Sequence, residues 1–324
     1  MTALTLEDEI KTVEEEIRDA NNRLFVRHKL QARLVRLLNA LQRHPQALQK
    51  ATELIRDLKK VDDKELIVDV HLEESKACYF LGSLSKARAA LTSARTTANS
   101  MYVTPATQAG LDLQSGILHA ADERDFKTAF SYFYESFEGY DLANKQSEAT
   151  RALKYMLLCK VMLDLPEEIA HIIATKHAAK YLGNEITAMS AIGTAAKNRS
   201  LKEFTEAFDK YKKELQDDAV VKKHFNALND QMLEKELGRQ IEPYSYVDLA
   251  HIARLIGLPA EKVEKKLAQM ILDRKFFGSL YQNEGMLVVY DAQHDEKTCE
   301  LSVQSIHALD TVVDQLYNNA KAIR

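Results

Sequence analysis

The ten histidines and three cysteines are the residues of this 324-residue chain that could bind a metal ion or act as nucleophiles. Cys78, Cys159 and Cys299 lie far apart and form no CxxC pair, so their spacing predicts neither a zinc site nor a disulfide framework. His171 and His177 are six residues apart, which does not place them on one helical face, and no HExxH pattern occurs. Cys159 falls in an apolar helical stretch, where a thiol behaves as a small hydrophobe.

The glycines offer no phosphate-binding loop either. No glycine is followed by lysine, and neither GxGxxG nor GxSxG occurs. The sequence therefore predicts no catalytic, cofactor-binding or metal-binding residue, no cofactor, and no enzyme. We interpret the chain as a binding or scaffold protein.

Composition favours a mostly helical protein with more than one packing unit. The chain exceeds the length of about 250 to 300 residues at which a single core stops growing, and 46% of its residues are apolar. It has no tryptophan, ten glycines and five prolines. No apolar run of about 18 residues occurs, and residues 5–16 are acidic where a signal peptide is basic. We therefore expect a soluble protein of a reducing intracellular compartment.

Residues 243–291 have the pattern of a winged helix, which is two helices followed by a β-hairpin. Ser245 with Asp248 predicts the start of the first helix, Gly257 its end, and Pro259 the start of the second. After the second helix the period changes to that of strands on either side of a turn at 282–285. The apolar positions are Val247, Leu249, Ile252, Leu255 and Ile256, then Val263, Leu267, Met270 and Ile271, then strands 277–281 and 286–290.

The charge of this winged helix argues against nucleic acid as its partner. Acidic and basic residues are nearly balanced on and after the second helix, and the whole chain has a net charge of −4 and a pI near 6.2. We therefore expect no nucleic acid and no membrane among the partners. The hairpin has a free edge strand, and the N–H and C=O groups of such an edge can pair with another protein.

The middle of the chain contains an internal repeat of helix pairs. Leu72, Ser75, Lys86 and Ala87 are matched 41 residues later by Leu113, Gly116, Lys127 and Thr128. This resembles a tetratricopeptide unit, whose usual period is about 34 residues, and predicts a helical solenoid. Helix start and stop signals predict helices at 105–121, 126–141, 147–163, 166–181, 185–197, 201–215 and 219–237.

Seven aromatic residues between Phe126 and Tyr140 lie almost all round one of these helices. We expect them to be core residues between layers and not ligand-stacking groups. At the N-terminus, Leu6, Ile10, Val13 and Ile17 predict an amphipathic helix. It either packs on its own chain or forms a separate coiled-coil arm.

The last segment carries a heptad seam after a polar linker at 291–297. Such a helix needs a partner for its apolar stripe. Two alternatives remain, docking on its own domain or bundling with helices of other chains. The seam residues follow at steps of four and three and are Ser302, Ile306, Leu309, Val313, Leu316, Ala320 and Ile323.

The order of helical repeats, winged helix and terminal helix resembles PCI-domain proteins, and longer strings carry a closer resemblance. KARAALTSARTTAN (86–99), SGILHAADERDFKTAFSYFYESFEGYD (115–141), LKYMLLCK (153–160), KNRSL (197–201) and KKLAQMILDRKFFG (265–278) resemble the PCI-domain subunits of the 26S proteasome lid. The similarity extends from about Leu30 to Arg324.

The resemblance implies a mostly α fold in three parts. These are a tetratricopeptide-like solenoid (1–121), a PCI domain (122–291, with its winged helix at 243–291), and a linker with a C-terminal bundle helix (292–324). Before Leu30 the chain differs from family members, which begin with further helix pairs, so a distal contact with the core particle does not follow from the resemblance. At the wing turn, family members have glycine where this chain has Asn283, a residue that tolerates positive φ.

The function implied is a non-catalytic scaffold of the regulatory-particle lid in ATP- and ubiquitin-dependent protein degradation, in the cytoplasm and nucleus. The implied partners are other PCI-domain lid subunits, the lid deubiquitinase module, the ATPase ring and core-particle α-subunits. A PCI subunit of the COP signalosome is the alternative within the class, and a nucleic-acid-binding winged helix the alternative outside it. The residues expected to bind partners are Phe277, Leu280, Met286, Val288 and Tyr290 of the hairpin, and Ile306, Leu309, Val313, Leu316, Ala320 and Ile323 of the terminal helix.

Overall fold

The computed structural model describes residues 3–20, 23–122, 124–181, 183–212, 215, 218–283, 285–290 and 297–322. This part of the chain is helical apart from one small sheet, which confirms the predicted fold class. The helices are α1 (Ala3–Asp19), α2 (Leu24–Ala40), α3 (His44–Val61), α4 (Lys64–Phe80), α5 (Leu84–Asn99), α6 (Pro105–Asp122), α7 (Phe126–Leu142), α8 (Gln146–Met162), α9 (Pro166–Ala174), α10 (Asn184–Asn198), α11 (Leu201–Lys210), α12 (Ala219–Ile241), α13 (Leu249–Ile256), α14 (Ala260–Leu272) and α15 (Lys297–Ala322).

The strands are β1 (Tyr246–Asp248), β2 (Phe277–Tyr281) and β3 (Met286–Tyr290). By its contacts the chain divides into two units, Met1–Leu233 and Glu234–Arg324. The three-part domain boundaries that the sequence suggests stay a prediction.

The first unit is a series of antiparallel helix pairs joined by short turns. Several turns place one residue in the left-handed region, including Asp62 (φ 57°), Gly82 (φ 80°) and Asn144 (φ 54°). A left-handed residue ends the helical hydrogen-bond ladder and lets the chain reverse at once. Short turns keep consecutive helices adjacent, which is how helical repeats stack.

In each of two successive helix pairs, a small residue allows the two helices of the pair to approach closely. Ser75 of α4 is fully buried and donates its hydroxyl to the carbonyl of Ala87 on α5 (2.9 Å). Gly116 stands at the equivalent place in α6, and a Cβ atom there would lie 2.6 Å from the ring of Phe133. The repeat recognised in the sequence is therefore a repeat of close helix contacts.

The N-terminal helix packs on its own chain. Ile10 and Val13 of α1 are buried in one cluster with residues of α2, α3 and α4, and Arg43 reaches Glu7 at 2.8 Å. Of the two alternatives for this helix, packing on the repeats is the one observed within the described residues.

Two expectations for the middle of the chain were wrong in detail. The helix expected at 166–181 ends at Ala174, because Thr175 is extended and a 3₁₀ turn, Ala178–Tyr181, follows. Among the seven aromatic residues of α7, Tyr134 is 46% exposed, whereas Phe126, Phe133, Phe137 and Tyr140 are buried.

The second unit contains the three-stranded sheet, in the order β1, β3, β2. Both pairings are antiparallel, and β2 and β1 are the edges. Residues 291–296, which include most of the expected linker, lie outside the described residues.

Candidate partner-binding surfaces

The winged helix forms as expected, but it begins differently. Residues 246–248 pair with β3 instead of starting a helix, so Val247 is a buried strand residue and not a helical one. Asp248 caps α13 by accepting the backbone N–H of Ala250 at 2.9 Å, which corrects the expected cap at Ser245. Gly257 then ends α13 with φ +77°, a conformation that costs glycine little.

One face of the sheet packs inward and holds the two helices. Val247, Leu287 and Leu280 lie opposite one another on the three strands, and the first two are buried. Val263 and Leu267 of α14 are fully buried. Leu280 was expected to bind a partner, but its position across from Leu287 places it on the inward side.

The outer face of the sheet is aromatic and exposed. The register places alternate residues of all three strands on this face, so that Tyr246 lies across from Val288 and Phe277 across from Tyr290. Tyr246 is 68% exposed, and Tyr281 and Tyr290 are each 49% exposed. Sequence reasoning missed Tyr246 and Tyr281, although the alternation of side chains along each strand would have found Tyr281. The residues of the outer face are Tyr246, Asp248, Phe277, Ser279, Tyr281, Met286, Val288 and Tyr290.

Lys266 and Lys275, two of the five basic residues on and just after α14, are paired within the unit. Lys266 makes an ion pair with Glu234 at 2.9 Å, and Lys275 bonds the same carboxylate. Glu264 accepts a hydrogen bond from Gln282 at 2.6 Å. These two lysines cannot neutralise phosphates without breaking their pairs, which disfavours the binding of nucleic acid at α14.

The terminal helix α15 is exposed at every residue whose side chain the structure describes. Every described side chain from Thr298 to Lys321 is exposed, including Ile306 (66%), Leu309 (68%) and Leu316 (62%). The heptad residues Val313 and Ala320 are exposed as well, and Ile323 lies outside the described residues.

The apolar stripe of α15 is wider than the seam predicted from the sequence. Val303, Val312 and Tyr317 flank the seam and are 52%, 53% and 66% exposed. In a two-stranded coiled coil the flanking positions are commonly Glu or Lys. Apolar flanking residues favour packing against more than one helix.

Two histidines make local hydrogen bonds, and two of the cysteines, Cys78 and Cys159, are buried. His71 lies 2.9 Å from Glu74, and His177 lies 2.8 Å from Asp141. Burial raises the pKa of the Cys159 thiol, which makes it a poor nucleophile at neutral pH. No three His, Cys, Asp or Glu side chains of the described residues are placed together as metal ligands. Among the described helices, none has the length and apolarity needed to cross a lipid bilayer.

The fold and these surfaces define a PCI-domain protein, and the PCI-domain family model matches residues 208–291. The chain is 59% identical over 302 residues to "Probable 26S proteasome regulatory subunit rpn-6.1" of Caenorhabditis elegans, covering 93% of this chain and 69% of that protein. It is 46% identical over 298 residues to "26S proteasome non-ATPase regulatory subunit 11 homolog" of Arabidopsis thaliana, covering 92% and 71%. It is 45% identical over 297 residues to "Probable 26S proteasome regulatory subunit rpn6" of Schizosaccharomyces pombe, covering 92% and 70%. The chain belongs to the Rpn6, or non-ATPase subunit 11, family of 26S proteasome regulatory subunits.

Proposed function

We propose that this chain is a non-catalytic scaffold of the proteasome regulatory-particle lid, which supports lid assembly and attaches the lid to the ATPase base and the core particle. It would thereby serve ATP- and ubiquitin-dependent protein degradation. Its relatives are named as regulatory subunits of the 26S proteasome, so the complex as a whole is the expected site of action. The naming of these relatives as regulatory subunits supports a role without catalysis.

The observation that carries this proposal is the exposed apolar stripe of α15. Burying one Leu, Ile or Val side chain contributes about 1.5–3 kcal/mol. The stripe contains at least four such residues, Ile306, Leu309, Val313 and Leu316, all more than half exposed. A helix with this composition gains most when other helices cover it, as in a bundle of subunits.

The winged helix supplies the second proposed contact. Its edge strand β2 has a row of backbone groups on the side away from β3, and such an edge can continue a sheet into a neighbouring subunit. The exposed aromatic side chains of the outer face can add to this contact. The finer partners we propose are other PCI-domain lid subunits, the deubiquitinase module, the ATPase ring and core-particle α-subunits, in both cytoplasm and nucleus.

The experiment is affinity purification of the tagged chain from cells of its own source with identification of the co-purifying proteins. Leu316→Asp is compared with Leu301→Asp, since both leucines are on α15 and both are 62% exposed, but Leu301 lies off the seam. We expect Leu316→Asp to reduce the recovery of proteasome subunits at least about tenfold, because an unpaired charge would be buried in the bundle. Leu301→Asp should leave recovery close to that of the parent.

The isolated variants also need to remain folded for the comparison to hold. Because both positions are exposed, each substitution should change the free energy of unfolding by less than about 0.5 kcal/mol. Equal recovery with both variants would contradict the bundle role of α15. Recovery of signalosome subunits, or of nucleic acid without PCI-domain partners, would overturn the proposed function.

A further inference from the structure

Helix α1 carries an excess of negative charge on its exposed side. Seven of its residues are acidic and two, Lys11 and Arg18, are basic. Ile10 and Val13 are buried against the rest of the first unit, so the opposite side of the helix is turned to solvent. The acidic residues of α1 that are exposed are Glu7, Asp8, Glu14, Glu15, Glu16 and Asp19.

Helix α2 presents the opposite charge. It contains four basic residues and no acidic residue. Leu34, Val35 and Leu38 are on its buried side, and exposed residues recur at steps of three and four on the other side. From the start of the helix to its end, this exposed face consists of Phe25, Val26, Lys29, Arg33, Arg36 and Ala40.

Two of the three cations on the exposed face of α2 are not neutralised within the described part of the chain. Arg36 lies 3.6 Å from Asp69 and 3.9 Å from Glu73 of α4. Lys29 and Arg33, in contrast, have no carboxylate oxygen within 4.0 Å among the described residues, and Glu15 of α1 has no cation within that distance. The two helices therefore offer opposite, uncompensated charges to a molecule outside the chain.

The exposed face of α2 begins with apolar side chains. Phe25 is 63% exposed and Val26 is 45% exposed, and Leu24 beside them is 60% exposed. Surface ion pairs alone contribute little, whereas covering apolar area contributes about 25 cal/mol per Å². The occupant of this face must therefore be acidic and must also lie close enough to cover the first turn of α2.

The first helix pair itself supplies both halves of such a contact. Helices α1 and α2 are antiparallel, and the ion pair between Arg43 and Glu7 (2.8 Å) fixes their relative height. Glu15 lies about two turns after Glu7, and Arg33 lies about two turns before the end of α2, so the two residues are at roughly the same height. A two-fold axis parallel to the helices places α1 of each copy on α2 of the other, with Glu15 facing Arg33.

We propose that two copies of this chain associate through their first helix pairs, with the acidic side of α1 in each copy on the basic face of α2 in the other. Because the contact is isologous, each ion pair forms twice and the association closes at a dimer. Phe25 and Val26 of both copies leave solvent in the same contact. The dimer uses neither the hairpin nor α15, so it does not rest on the proposed function.

Sedimentation velocity of the full chain measures the dissociation constant of this dimer. We expect dimers at about 50 mM salt and a dissociation constant at least about tenfold higher at about 500 mM, because salt screens exposed ion pairs. Leu316→Asp on α15 should leave the dissociation constant unchanged. This control separates a contact through the first helix pair from self-association through the seam of α15.

Charge reversal tests the pairing itself. Arg33→Glu and Glu15→Arg should each raise the dissociation constant at least about tenfold, because each places like charges opposite one another. An equimolar mixture of the two variants should form dimers again, since the two reversed charges then meet in one heterodimer. Lys202→Glu, which reverses an exposed cation on α11, should leave the dissociation constant unchanged.

The reversed positions are exposed, so each variant should keep the urea unfolding midpoint of the parent. Lys29→Glu, on the same face of α2, provides a second reversal that is independent of Arg33. A chain that stays monomeric at low salt, or a mixture of the two variants that stays monomeric, would overturn the proposal. A monomeric chain whose Arg33 instead binds a polyglutamate peptide would also overturn it, and would identify the occupant as an acidic partner protein.

Discussion

Asp141 shows how a single carboxylate can redirect the chain. It lies on α7 and accepts hydrogen bonds from the hydroxyl of Tyr181 (2.6 Å) and from His177 (2.8 Å), with Lys180 at 3.4 Å. The hydrogen bond from Tyr181 has the largest effect and that from His177 the next largest, and together they lower the pKa of Asp141 to about 2. These three partners lie in or beside the 3₁₀ turn, so the carboxylate draws the chain after Thr175 towards α7.

Tyr181→Phe tests the hydrogen bond to Asp141 directly. The substitution keeps the ring, which packs edge-on against Phe137 with centroids 5.6 Å apart, and removes only the hydroxyl. We expect the free energy of unfolding at pH 7 to fall by about 1 kcal/mol, the net value of one hydrogen bond. Urea denaturation of the parent and the variant measures it, with Tyr102→Phe as a control at a residue that is 90% exposed.

The pH dependence of that difference has a definite sign. A carboxylate with a lowered folded pKa stabilises fully above its unfolded pKa of about 4, and this contribution disappears as the pH falls through about 2. The stability difference between the parent and Tyr181→Phe should therefore shrink as the pH falls from about 4 towards 2. A difference that is independent of pH would show that Asp141 is not the acceptor that matters.

Helices α6 and α7 approach each other closely because Gly116 has no side chain. The ring of Phe133 occupies the space that a Cβ atom at Gly116 would need, with three ring atoms at 2.6–2.9 Å from that position. Phe133 is also buried. The pairing of these two helices thus depends on one glycine of α6.

We predict that Gly116→Ala destabilises the protein by about 1–3 kcal/mol, because the ring and the helix must move apart. Gly110→Ala in the same helix is the matched control, since its nearest neighbours would be at 3.4 and 3.5 Å. There, the better helix propensity of alanine should leave stability unchanged or raise it by up to about 1 kcal/mol. Thermal and urea unfolding followed by circular dichroism compares the two, and equal effects would refute the packing explanation.

The sequence allowed prediction of those elements that local residues determine. The αL glycine at 257, the alternation of 277–281 and 286–290, and the repeat from Leu72 to Leu113 all act within a few residues or between adjacent helices. The break at Thr175 was not predictable, because it depends on Asp141, which is distant in sequence. Tyr246 was missed as a surface residue because only its pairing with Val288 makes residues 246–248 a strand.

For the partner-binding surfaces, too, the sequence revealed only what residues close to one another in the chain determine. Heptad spacing alone identified the seam of α15, because the period of a helix determines which residues share a face. It did not reveal the width of the stripe, since flanking residues such as Val312 become significant only when the whole helix is exposed. The inward position of Leu280 likewise required the register of the sheet.

The first unit is more than a row of repeats that contact only their neighbours. In simple repeat proteins each repeat contacts only the next. Here Tyr155 of α8 bonds Asp218, 63 residues later, and Lys223 of α12 bonds the carbonyl of Tyr79, 144 residues earlier. Lys223 Nζ also lies 3.9 Å from the centre of the Tyr79 ring. Such contacts connect repeats that are not neighbours, so the unit should unfold cooperatively.

We predict that Tyr155→Phe lowers the free energy of unfolding by about 2 kcal/mol, because a buried carboxylate loses one of its donors. Tyr134→Phe on α7 is the control and should change it by less than about 0.5 kcal/mol, since Tyr134 is 46% exposed. Hydrogen exchange should show earlier opening of the first turn of α12 in Tyr155→Phe. If each pair of neighbouring helices instead exchanges its amide hydrogens independently, and Tyr155→Phe leaves these rates unchanged, the unit does not unfold cooperatively.

The contact between Tyr79 and Lys223 also has a consequence for biosynthesis. A ribosome adds about 5–20 residues per second, so Tyr79 is made about 7–30 s before Lys223. During this interval the end of α4, with the ring of Phe80 beside that of Tyr79, has no lysine over its aromatic faces. The aromatic end of α4 therefore gains its lysine contact only once α12 has been synthesised, so this part of the first unit is completed late.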